Sequence, residues 1–385
     1  MSRLIRIVFI LIAGAAAGRP ITPRIIGPAA ASGGTISPAI VTDHGHLQIL
    51  HLRGTPYEMG YQHGAAQREN IQRWLREAIY DRTILQSGES HGILLAQAQQ
   101  IEALLPPELQ QELRGIADGA GLLYQELLLL NLALNRLTPY PLLPTASPPT
   151  LELQALAFVA RQPATSASGS SEGALLGYLL DAPGQATRLR RHLLVLIYEP
   201  EEGQPHATLT WSGQVGAWCG VNQSGVAVCA TPSTDGRLED LETPPALLTR
   251  QLLVQARNGE QALRQAIARP YQATFHLLIA DGNNQTATAI TFGDQRYDIR
   301  PQPETPQDNI VSVPAGSALE PLLKRNADWL NQEKALAALA SRQPGICGQD
   351  TLLNVLFLPG RGEFWLGLDL WPASCRRYLR LRLSD

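Results

Sequence analysis

The stretch Arg53-Gly-Thr-Pro-Tyr-Glu-Met-Gly-Tyr-Gln-His-Gly64 holds the strongest local signals in the chain. Thr55 suits the N-cap of a helix, a proline follows at the first helical position, and Glu58 can bond back to the cap. Gly60 and Gly64 lie four residues apart, so one face of the helix carries no side chains. The stretch predicts a buried N-terminal helix that another backbone approaches closely.

The length and charge of the chain limit the classes of protein to which it can belong. A chain of 385 residues can bury a large core, in one big domain or in two ordinary ones. Charged residues make up 17% of it, below the usual quarter or so, and its net charge is -3. This balance argues against a nucleic acid or an anionic membrane surface as a partner.

The first residues have the pattern of an export signal. Arg3 and Arg6 form a basic region, Ile7–Ala13 an apolar run, and Ala15–Ala17 a cleavage site of small residues. The apolar run is too short to cross a bilayer as a retained anchor. We therefore predict a signal peptide at 1–17, an exported protein that is periplasmic or extracellular, and no membrane span once the signal is removed.

Changes of composition divide the rest of the chain into four parts. Residues 18–45 are rich in Pro, Gly, Ala and Ser, which predicts a linker. Residues 46–137 begin with a short strand at 46–53 and continue with apolar residues at helical spacing. Residues 138–150 contain five prolines and predict an irregular connection. Residues 151–385 form the predicted core.

Within the core, short strands punctuated by glycine come first, and helices and further strands follow in blocks. The predicted strands are 152–160, 174–181, 192–199, 207–211, 215–220, 225–230, 274–280, 286–292, 352–358 and 363–368, and the predicted helices are 244–268 and 319–339. Blocks of one kind of element are typical of α+β layers rather than of strict strand–helix alternation.

Several motifs resemble those of one known family. The opening stretch is similar to the G-[ST]-P-Y-E-x-G-x-Q-H-G signature of the isopenicillin N acyltransferase-like (acyl-coenzyme A:6-aminopenicillanic acid acyltransferase) family of self-cleaving Ntn hydrolases. Further matches are Gly115–Gly121, Leu127–Asn131, Trp211–Gly216, Gly220–Val228 and Phe364–Gly367. The resemblance implies an αββα four-layer sandwich preceded by a helical segment that active members cut off. It also implies hydrolysis or acyl transfer at amide bonds, peptide or non-peptide, with no cofactor.

The same resemblance locates a catalytic cysteine that this chain lacks. In the family the first core strand reads C-[ST]-S-F; the chain cleaves itself before the cysteine, and the freed amino group serves as base for the thiol. Here the strand reads Ala-Leu-Ala-Phe, with Ala155 at the nucleophile position. In the next strand the family's G-R-N-x-D becomes Gly-Tyr-Leu-Leu-Asp. Tyr178 thus replaces the arginine, Leu179 replaces the asparagine, and only Asp181 is kept.

Two hypotheses follow from this replacement. Ala155 offers no thiol and no route to self-cleavage, and the loss of the arginine removes a cation that stabilises a thiolate. In the first hypothesis the protein is an uncut, catalytically degenerate homologue, a pseudoenzyme that binds a small acylated ligand, an acyl-amide or a partner. In the second it is an active amidase or acyltransferase whose nucleophile has moved to Thr150 or Thr165. The sequence leaves open which is true, and therefore whether the protein is an enzyme.

Two further polar residues match positions near the family's acyl site. Asn222 matches an asparagine whose side-chain amide can donate to an oxyanion, although it also suits a turn. His276 stands where relatives usually have an asparagine, and a lone histidine on a strand is either a catalyst or a core residue with satisfied hydrogen bonds. The sequence offers a catalytic and a structural interpretation for each residue.

The four cysteines are compatible with disulfides in an oxidising compartment. Cys219 and Cys229 lie on neighbouring predicted strands and could pair, whereas four buried free thiols account for the count equally well. Their spacings, together with those of Cys347 and Cys375, fit no zinc pattern. We expect no metal and no cofactor.

Overall fold

The computed structural model describes residues 24–26, 30–31, 34–36, 39–44, 47–86, 88, 90–135, 153–162, 164–165, 173–232, 243–300, 309–367, 375 and 377–383. The predicted signal peptide, the connection at 138–150 and Thr150 lie outside the described residues. Within the described ranges, no helix combines the length and the apolar character that crossing a membrane requires.

A ten-stranded sheet forms one half of the core. Its strands are numbered in chain order, and their spatial order is β1 (Arg24–Ile26), β4 (Ala39–His44), β5 (Leu47–Gly54), β8 (Leu193–Pro200), β9 (His206–Trp211), β10 (Cys219–Asn222), β11 (Val226–Ala230), β12 (Phe275–Asp281), β13 (Thr286–Gly293) and β14 (Arg296–Ile299). Neighbours are antiparallel except β5 and β8, which are parallel; the chain between them forms the helical segment and then two strands of the second sheet. β2 (Ala30–Ala31) and β3 (Gly34–Thr35) form a separate pair.

A six-stranded antiparallel sheet forms the other half. In spatial order it contains β15 (Ile310–Val313), β6 (Gln154–Ala160), β7 (Leu175–Asp181), β16 (Thr351–Leu358), β17 (Glu363–Gly367) and β18 (Tyr378–Arg382). β6 and β7 are adjacent, and their register places Ala155 opposite Leu180 and Ala157 opposite Tyr178. The two strands that carry the matched catalytic positions are therefore direct neighbours.

Helices cover both sheets and form the N-terminal segment. They are α1 (Pro56–Ala66), α2 (Arg68–Leu75), a π-helix (Arg76–Gln86), α3 (His91–Glu102), α4 (Pro107–Ala120), α5 (Tyr124–Asn135), α6 (Ala186–Arg190), α7 (Pro245–Gln255), α8 (Gly259–Ala266), α9 (Leu319–Lys324) and α10 (Gln332–Leu339). The predicted helical character of residues after 54 is confirmed by α1 to α5.

Alternating side chains on the strands show how the layers stack. On β7, Leu176 and Tyr178 face the core between the two sheets, whereas Leu179 faces α9 and α10. On β12, Leu278 faces the core between the sheets, whereas Leu277 faces α7 and α8. The order of layers is therefore α7 and α8, the ten-stranded sheet, the six-stranded sheet, and α9 and α10. This is the αββα sandwich of the α+β class that the resemblance implies.

The helix predicted from the opening stretch is α1, and it begins as its sequence indicates. The Thr55 hydroxyl accepts from the backbone N–H of Glu58 at 3.3 Å, and the Glu58 carboxylate accepts from the backbone N–H of Thr55 at 2.8 Å. This reciprocal pair satisfies two of the N–H groups that the first turn of a helix leaves without partners. The predicted capping box is confirmed.

Glycines on α1 and α4 allow the two helices to cross with their backbones in contact. Gly60 and Gly64 of α1 meet the backbone of α4, and Gly115 and Gly119 of α4 meet the backbone of α1. A Cβ at Gly60 would overlap the carbonyl oxygen of Glu112, and a Cβ at any of the other three glycines would overlap backbone atoms as well. The close approach predicted from the spacing of Gly60 and Gly64 is confirmed.

The predicted linker at 18–45 differs from the structure. β1 pairs with β4, and β4 pairs with β5, so both strands extend the ten-stranded sheet. The short runs Ile25-Ile26 and Ile40-Val41 supply β-branched residues for these strands, and the Pro, Gly and Ala around them obscured that pattern. The linker prediction is wrong for residues 24–26 and 39–44.

Other predicted elements differ from the structure. The strand predicted at 215–220 begins only at Cys219, because residues 215–218 are not in a strand. The strands β14, β15 and β18 were not predicted.

Both long helices predicted in the core are pairs of shorter helices. The helix predicted at 244–268 is α7 and α8, and Asn258 caps the second of them. The helix predicted at 319–339 is α9 and α10, since Asp328 adopts a positive φ of 74° and Asn331 caps a new helix.

Candidate functional site

The position matched to the family's nucleophile lies near the beginning of β6. Ala155 follows the first residue of that strand, is half-buried, and packs against the apolar core between the two sheets. Its side chain is a methyl group, which can neither attack a carbonyl nor carry an acyl group. Ala155 therefore lies at the edge of the inter-sheet core, and its side chain cannot perform the chemistry of a thiol.

Tyr178, the residue matched to the family's arginine, lies on β7, opposite Ala157, and connects the two sheets. Its side chain is fully buried, and its hydroxyl donates to the carbonyl oxygen of Ala230 on β11, across the gap between the sheets, at 3.0 Å. Burial raises the pKa of Tyr178 well above its ordinary value, and the neighbouring thiols of Cys219 and Cys229 raise it further. The side chain is thus a neutral bridge between the sheets and supplies no cation.

Leu179 and Asp181 lie apart from Tyr178. Leu179 faces α9 and α10, and Asp181, two residues further along β7, lies on that same face. Burial is the main cause that raises the pKa of the Asp181 carboxyl to about 6; a hydrogen bond from Thr351 lowers this pKa, and the negative charge of Asp350 raises it. The one acidic residue kept from the matched motif therefore points away from the nucleophile position.

Asn222 is buried at the end of β10, and all of its polar atoms are used. Its amide nitrogen donates to the carbonyl oxygens of Leu253 at 3.1 Å and Ala256 at 2.8 Å, and its Oδ1 accepts from the backbone N–H of Val226 at 3.0 Å. These bonds tie the turn between β10 and β11 to the end of α7. Both side-chain donors are engaged, so this structure supports the structural interpretation of Asn222.

His276 is half-buried on β12. Its Nδ1 lies 3.0 Å from the hydroxyl oxygen of Thr291 on β13, and its backbone N–H donates to the hydroxyl oxygen of Thr231 at 2.9 Å. Burial lowers the pKa of His276, and the positive charge of Arg300 lowers it further. A neutral imidazole that is hydrogen-bonded to a threonine on the neighbouring strand is typical of a structural histidine rather than of a catalyst.

The proposed relocated nucleophile Thr165 is remote from the start of β6. It is fully buried, and its hydroxyl donates to the carbonyl oxygen of Gly173 at 2.8 Å. It follows the far end of β6, and the five steps from Ala155 to Ala160 alone span about 17 Å. Thr165 thus cannot take the place of Ala155 within this fold.

The cysteines pair differently from the possibility considered in the sequence analysis. Cys347 and Cys375 form a disulfide with their Cα atoms 6.0 Å apart. Cys219 and Cys229 face each other directly across β10 and β11, and both are buried free thiols. Within the described residues, no three or more His, Cys, Asp or Glu side chains are grouped in a way that could hold a metal ion.

The polar residues of the opening motif have a structural role that the sequence analysis did not identify. His63 Nε2 accepts from the backbone N–H of Gly213 at 3.0 Å. Asn131 donates to the Gly213 carbonyl at 2.8 Å and accepts from the Val215 N–H at 3.1 Å. Gln62 bonds both the N–H and the carbonyl of Arg53. These hydrogen bonds attach the helical segment to the turn within Trp211–Gly216, which is itself one of the matched motifs.

A buried ion pair makes a second junction between the helical segment and the core. Arg250 of α7 donates to Glu112 of α4 at 2.9 Å, and both side chains are almost fully buried. The Tyr198 hydroxyl donates to the same carboxylate at 2.7 Å, and the Arg250 guanidinium lies 3.9 Å from the Tyr198 ring centroid. His206 also contacts Arg250. We call this group the Arg250 cluster (Glu112, Tyr198, His206 and Arg250). Its signal in the sequence is a charged residue within an apolar helix face.

Comparison with protein families supports the resemblance found in the motifs. The model of the acyl-coenzyme A:6-aminopenicillanic acid acyl-transferase family matches residues 186–310. The matched range contains the Trp211–Gly216 and Gly220–Val228 motifs and runs from α6 to the beginning of β15. It begins after β6 and β7, so the strands with Ala155 and Tyr178 are not part of the match.

Relatives among curated proteins are distant. A protein of Archaeoglobus fulgidus described as uncharacterized is 32% identical over 100 residues, which are 23% of this chain and 16% of that protein. Protein dcd1B of Dictyostelium discoideum is 25% identical over 272 residues, which are 64% of this chain and 51% of that protein. Protein dcd1A of the same organism is 26% identical over 278 residues, 63% of this chain and 57% of that protein. The chain therefore spans little more than half the length of these relatives at most.

Solved structures with some likeness to this chain are distant in sequence. The Caenorhabditis elegans N-acylethanolamine-hydrolyzing acid amidase ortholog is 14% identical with a TM-score of 0.45, covering 53% of this chain and 93% of its own. A mutant of the conjugated bile acid hydrolase from Clostridium perfringens is 10% identical with a TM-score of 0.37, covering 60% and 92%. Penicillin V acylase from Agrobacterium tumefaciens is 13% identical with a TM-score of 0.31, covering 60% and 80%. The four-layer order of this chain rests on its own packing rather than on these likenesses.

Proposed function

We propose a binding role without amide cleavage for this chain, whose residues 186–310 match the model of the acyl-coenzyme A:6-aminopenicillanic acid acyl-transferase family. In this proposal the protein keeps the Ntn-hydrolase scaffold, is not cut into two chains, and binds a small acylated ligand beside Ala155. The apolar inter-sheet core against which the half-buried Ala155 packs suits an acyl chain. An acyl-amide would be held there without being hydrolysed.

The hydrogen bond from Tyr178 to Ala230 is the observation that carries this proposal. A thiolate nucleophile is stabilised by a nearby cation, and an N-terminal nucleophile needs its own free amino group as a base. At the matched positions this chain has a methyl group and a neutral phenol whose hydroxyl is engaged across the sheets. Restoring the cysteine alone would therefore leave the nucleophile without a stabilising charge.

Export is part of the same proposal. The basic and apolar pattern of the first seventeen residues supports it. The disulfide between Cys347 and Cys375 supports it independently, because disulfides persist mainly in oxidising compartments. We expect the mature protein to begin near Gly18.

The first test is the intact mass of the protein, purified after export and measured under denaturing, reducing conditions. We expect one chain that begins near Gly18. Two chains with a break between Pro149 and Thr165 would overturn the proposal, and the new N-terminal residue would then be the nucleophile. In that case a Thr150→Ala variant should abolish the cut, whereas Thr165→Ala should leave it unchanged.

The second test separates binding from turnover. The protein is incubated with N-hexanoylglycine, an acylated probe, and both bound probe and released glycine are measured. We expect saturable binding with no release of glycine above the blank. An Ala155→Phe variant should lose this binding because its larger side chain fills the half-buried position, and Asp294→Asn, a change in an exposed turn, should keep it. Release of glycine by the wild-type protein would contradict the proposal.

A further inference from the structure

Two thiols face each other across the hairpin that β10 and β11 form. Cys219 on β10 lies directly opposite Cys229 on β11. The preceding pair of opposed residues is joined by a hydrogen bond from the Ala230 N–H to the Trp218 carbonyl oxygen, at 2.9 Å. Hydrogen-bonded and non-hydrogen-bonded pairs alternate along an antiparallel ladder. Cys219 and Cys229 therefore form a non-hydrogen-bonded pair, the kind whose side chains lie closer together.

This geometry brings the two sulfur atoms within reach of each other. The Cα atoms of a non-hydrogen-bonded pair are about 4.5 Å apart, and disulfides span Cα separations of about 4.4–6.8 Å. The two thiols are already hydrogen-bonded to each other, and this contact, after burial, raises the pKa of Cys229 well above its ordinary value. Only a small adjustment of the strands is needed before a bond can form.

The pair is separated from the other two cysteines by the six-stranded sheet. Cys219 and Cys229 are buried in the core between the two sheets, whereas Cys347 and Cys375 are buried on the far face, beside α9 and α10. The folded protein therefore allows no exchange between the pairs. Cys347 and Cys375 are joined although both are buried, so burial in the folded state does not prevent a disulfide that forms while the chain folds.

We propose that Cys219 and Cys229 form a second disulfide when the chain folds in an oxidising compartment, and that this structure shows their reduced form. One thiolate attacks a sulfur of a disulfide oxidant, such as glutathione disulfide, and displaces one thiolate of the oxidant. The other cysteine thiolate then attacks the mixed disulfide and displaces the second. Two electrons pass to the oxidant, which becomes two thiols, and the two cysteines lose two protons.

The bond would fix the part of the ten-stranded sheet to which Tyr178 is attached. The Tyr178 hydroxyl donates to the carbonyl oxygen of Ala230, the residue that follows Cys229. In the bonded form this bridge between the sheets ends on a covalently closed hairpin, and a closed loop stabilises a fold by restricting the unfolded chain. The inference does not depend on ligand binding beside Ala155.

The two forms should interconvert slowly once the protein has folded. Both thiols are fully buried, and the raised pKa of Cys229 keeps it protonated. Because only a thiolate attacks a disulfide, a folded and reduced chain should react slowly with an oxidant. The compartment in which the chain folds therefore decides which form is present.

The test is a count of free thiols in the full-length chain, secreted and purified without a reductant. The protein is denatured, treated with iodoacetamide and digested with trypsin, and the mass of peptide 192–237, which contains both cysteines, is measured. We expect no carbamidomethyl group on this peptide and a mass two hydrogen atoms below that of the reduced peptide. Two carbamidomethyl groups, or a link to Cys347 or Cys375, would overturn the proposal.

The same chain made in a reducing cytosol is the matched control. Its peptide 192–237 should carry two carbamidomethyl groups, and the bond should close much more slowly in the folded protein than in guanidinium chloride when glutathione disulfide is added. Equal rates would contradict the trapping of the two forms by burial.

Two variants complete the test. A secreted Cys347→Ala, Cys375→Ala double variant keeps only the proposed pair and should retain its bond, whereas Cys219→Ala should have one free thiol, at Cys229. Loss of the bond in a folded double variant would show that it depends on the other pair and would overturn the proposal. If the double variant does not fold, the mass of the wild-type peptide still decides the matter.

Discussion

The junction between the helical segment and the core differs sharply from the start of β6 and β7. At the junction, polar residues have specific partners: His63 and Asn131, which belong to the matched motifs, bind Gly213, and Glu112, which lies outside them, pairs with Arg250. At the start of β6 and β7, the matched positions carry a methyl group and a neutral phenol. Motifs by which the chain resembles the acyltransferase family thus hold its helical segment on the core, whereas the positions matched to that family's nucleophile and arginine carry neither a thiol nor a cation.

The largest expected effect comes from Arg250→Met. This change leaves the Glu112 carboxylate buried without its cation, which should lower the free energy of unfolding by about 3–5 kcal/mol. Urea denaturation at neutral pH measures the effect. The control is Arg264→Met, which removes an exposed pair with Glu260 and should change stability by no more than about 0.5 kcal/mol. Equal effects would mean that the Arg250 cluster adds nothing to the junction.

Gly60→Ala should have the next largest effect. The added methyl group overlaps the carbonyl oxygen of Glu112, so α1 and α4 must move apart, at a cost of about 2–3 kcal/mol. Thermal unfolding measures the change. Gly92→Ala on α3 is the matched control, because its Cβ meets only the Ser90 hydroxyl oxygen, at 3.8 Å. The control should be neutral or stabilised by up to about 1 kcal/mol. An unchanged Gly60→Ala protein would show that the crossing tolerates a wider separation.

The junction also gives stability a pH dependence of predictable sign. Burial and, to a smaller extent, the positive charge of Arg250 lower the pKa of His63 from 6.5 to about 3, so the folded protein keeps this imidazole neutral. Its contribution is complete above pH 6.5 and is lost as the pH falls towards 3, because only the unfolded chain then takes up the proton. His63→Gln should reduce the slope of stability against pH in this window by up to about 1.4 kcal/mol per unit.

Denaturant titrations at several pH values test this prediction. The pKa values of His51, His192, His206 and His276 are also lowered, so the wild-type slope is shared among these five histidines and the variant should retain most of it. The exposed His91→Gln on α3 should leave the slope as it is in the wild-type protein. A His63→Gln protein with the full slope would contradict the burial of the neutral imidazole.

At the start of β6 and β7 the expected effects are smaller. Tyr178→Phe removes one hydroxyl and leaves the Ala230 carbonyl without this donor, which should cost about 1 kcal/mol. The chain should remain uncut and inactive towards acyl-amides, since no charge is lost. Thermal unfolding and intact mass measure the two outcomes. Amide hydrolysis that disappears in this variant would show that the phenol takes part in chemistry.

The smallest expected effect belongs to Ala155→Cys. The position is half-buried, so the added sulfur should alter stability by no more than about 0.5 kcal/mol. Without a cation at position 178, we expect the thiol to be unreactive and the chain to remain uncut. Intact mass and labelling with iodoacetamide give the result, with Ala155→Ser as the control. Self-cleavage of the cysteine variant would mean that only the nucleophile separates this chain from active members of the family.

Much of the fold could be predicted from local patterns. The capping box at Thr55, the spacing of Gly60 and Gly64, and the period-two strands of the core each specify their element through neighbouring residues. Phe158 and Asp181 aligned each of β6 and β7 with a family motif, whereas the pairing of the two strands with each other is known only from the structure. The strands at 24–26 and 39–44 were not predicted, because the Pro and Gly around their short isoleucine-containing runs obscured the strand pattern.

The site was harder to predict because its decisive contacts join residues far apart in the chain. The Tyr178 hydroxyl meets Ala230 only because the two sheets stack, and Arg250 meets Glu112 only because α4 lies beside α7. The disulfide between Cys347 and Cys375 also depends on the packing of the C-terminal part of the chain. By contrast, the alternation of side chains along β7 is a local signal, and it is enough to predict that Asp181 faces away from Tyr178.

The glycine crossing of α1 and α4 restricts how this sequence can change. The four glycines are opposed by main-chain atoms, which every amino acid possesses, so no exchange on the partner helix makes room for a methyl group. A second substitution elsewhere therefore cannot relieve the overlap that an alanine at one of these positions causes. A search of genomes for this motif therefore collects proteins that share a way of stacking two helices, and each must be inspected at the strand start before an activity is assigned to it.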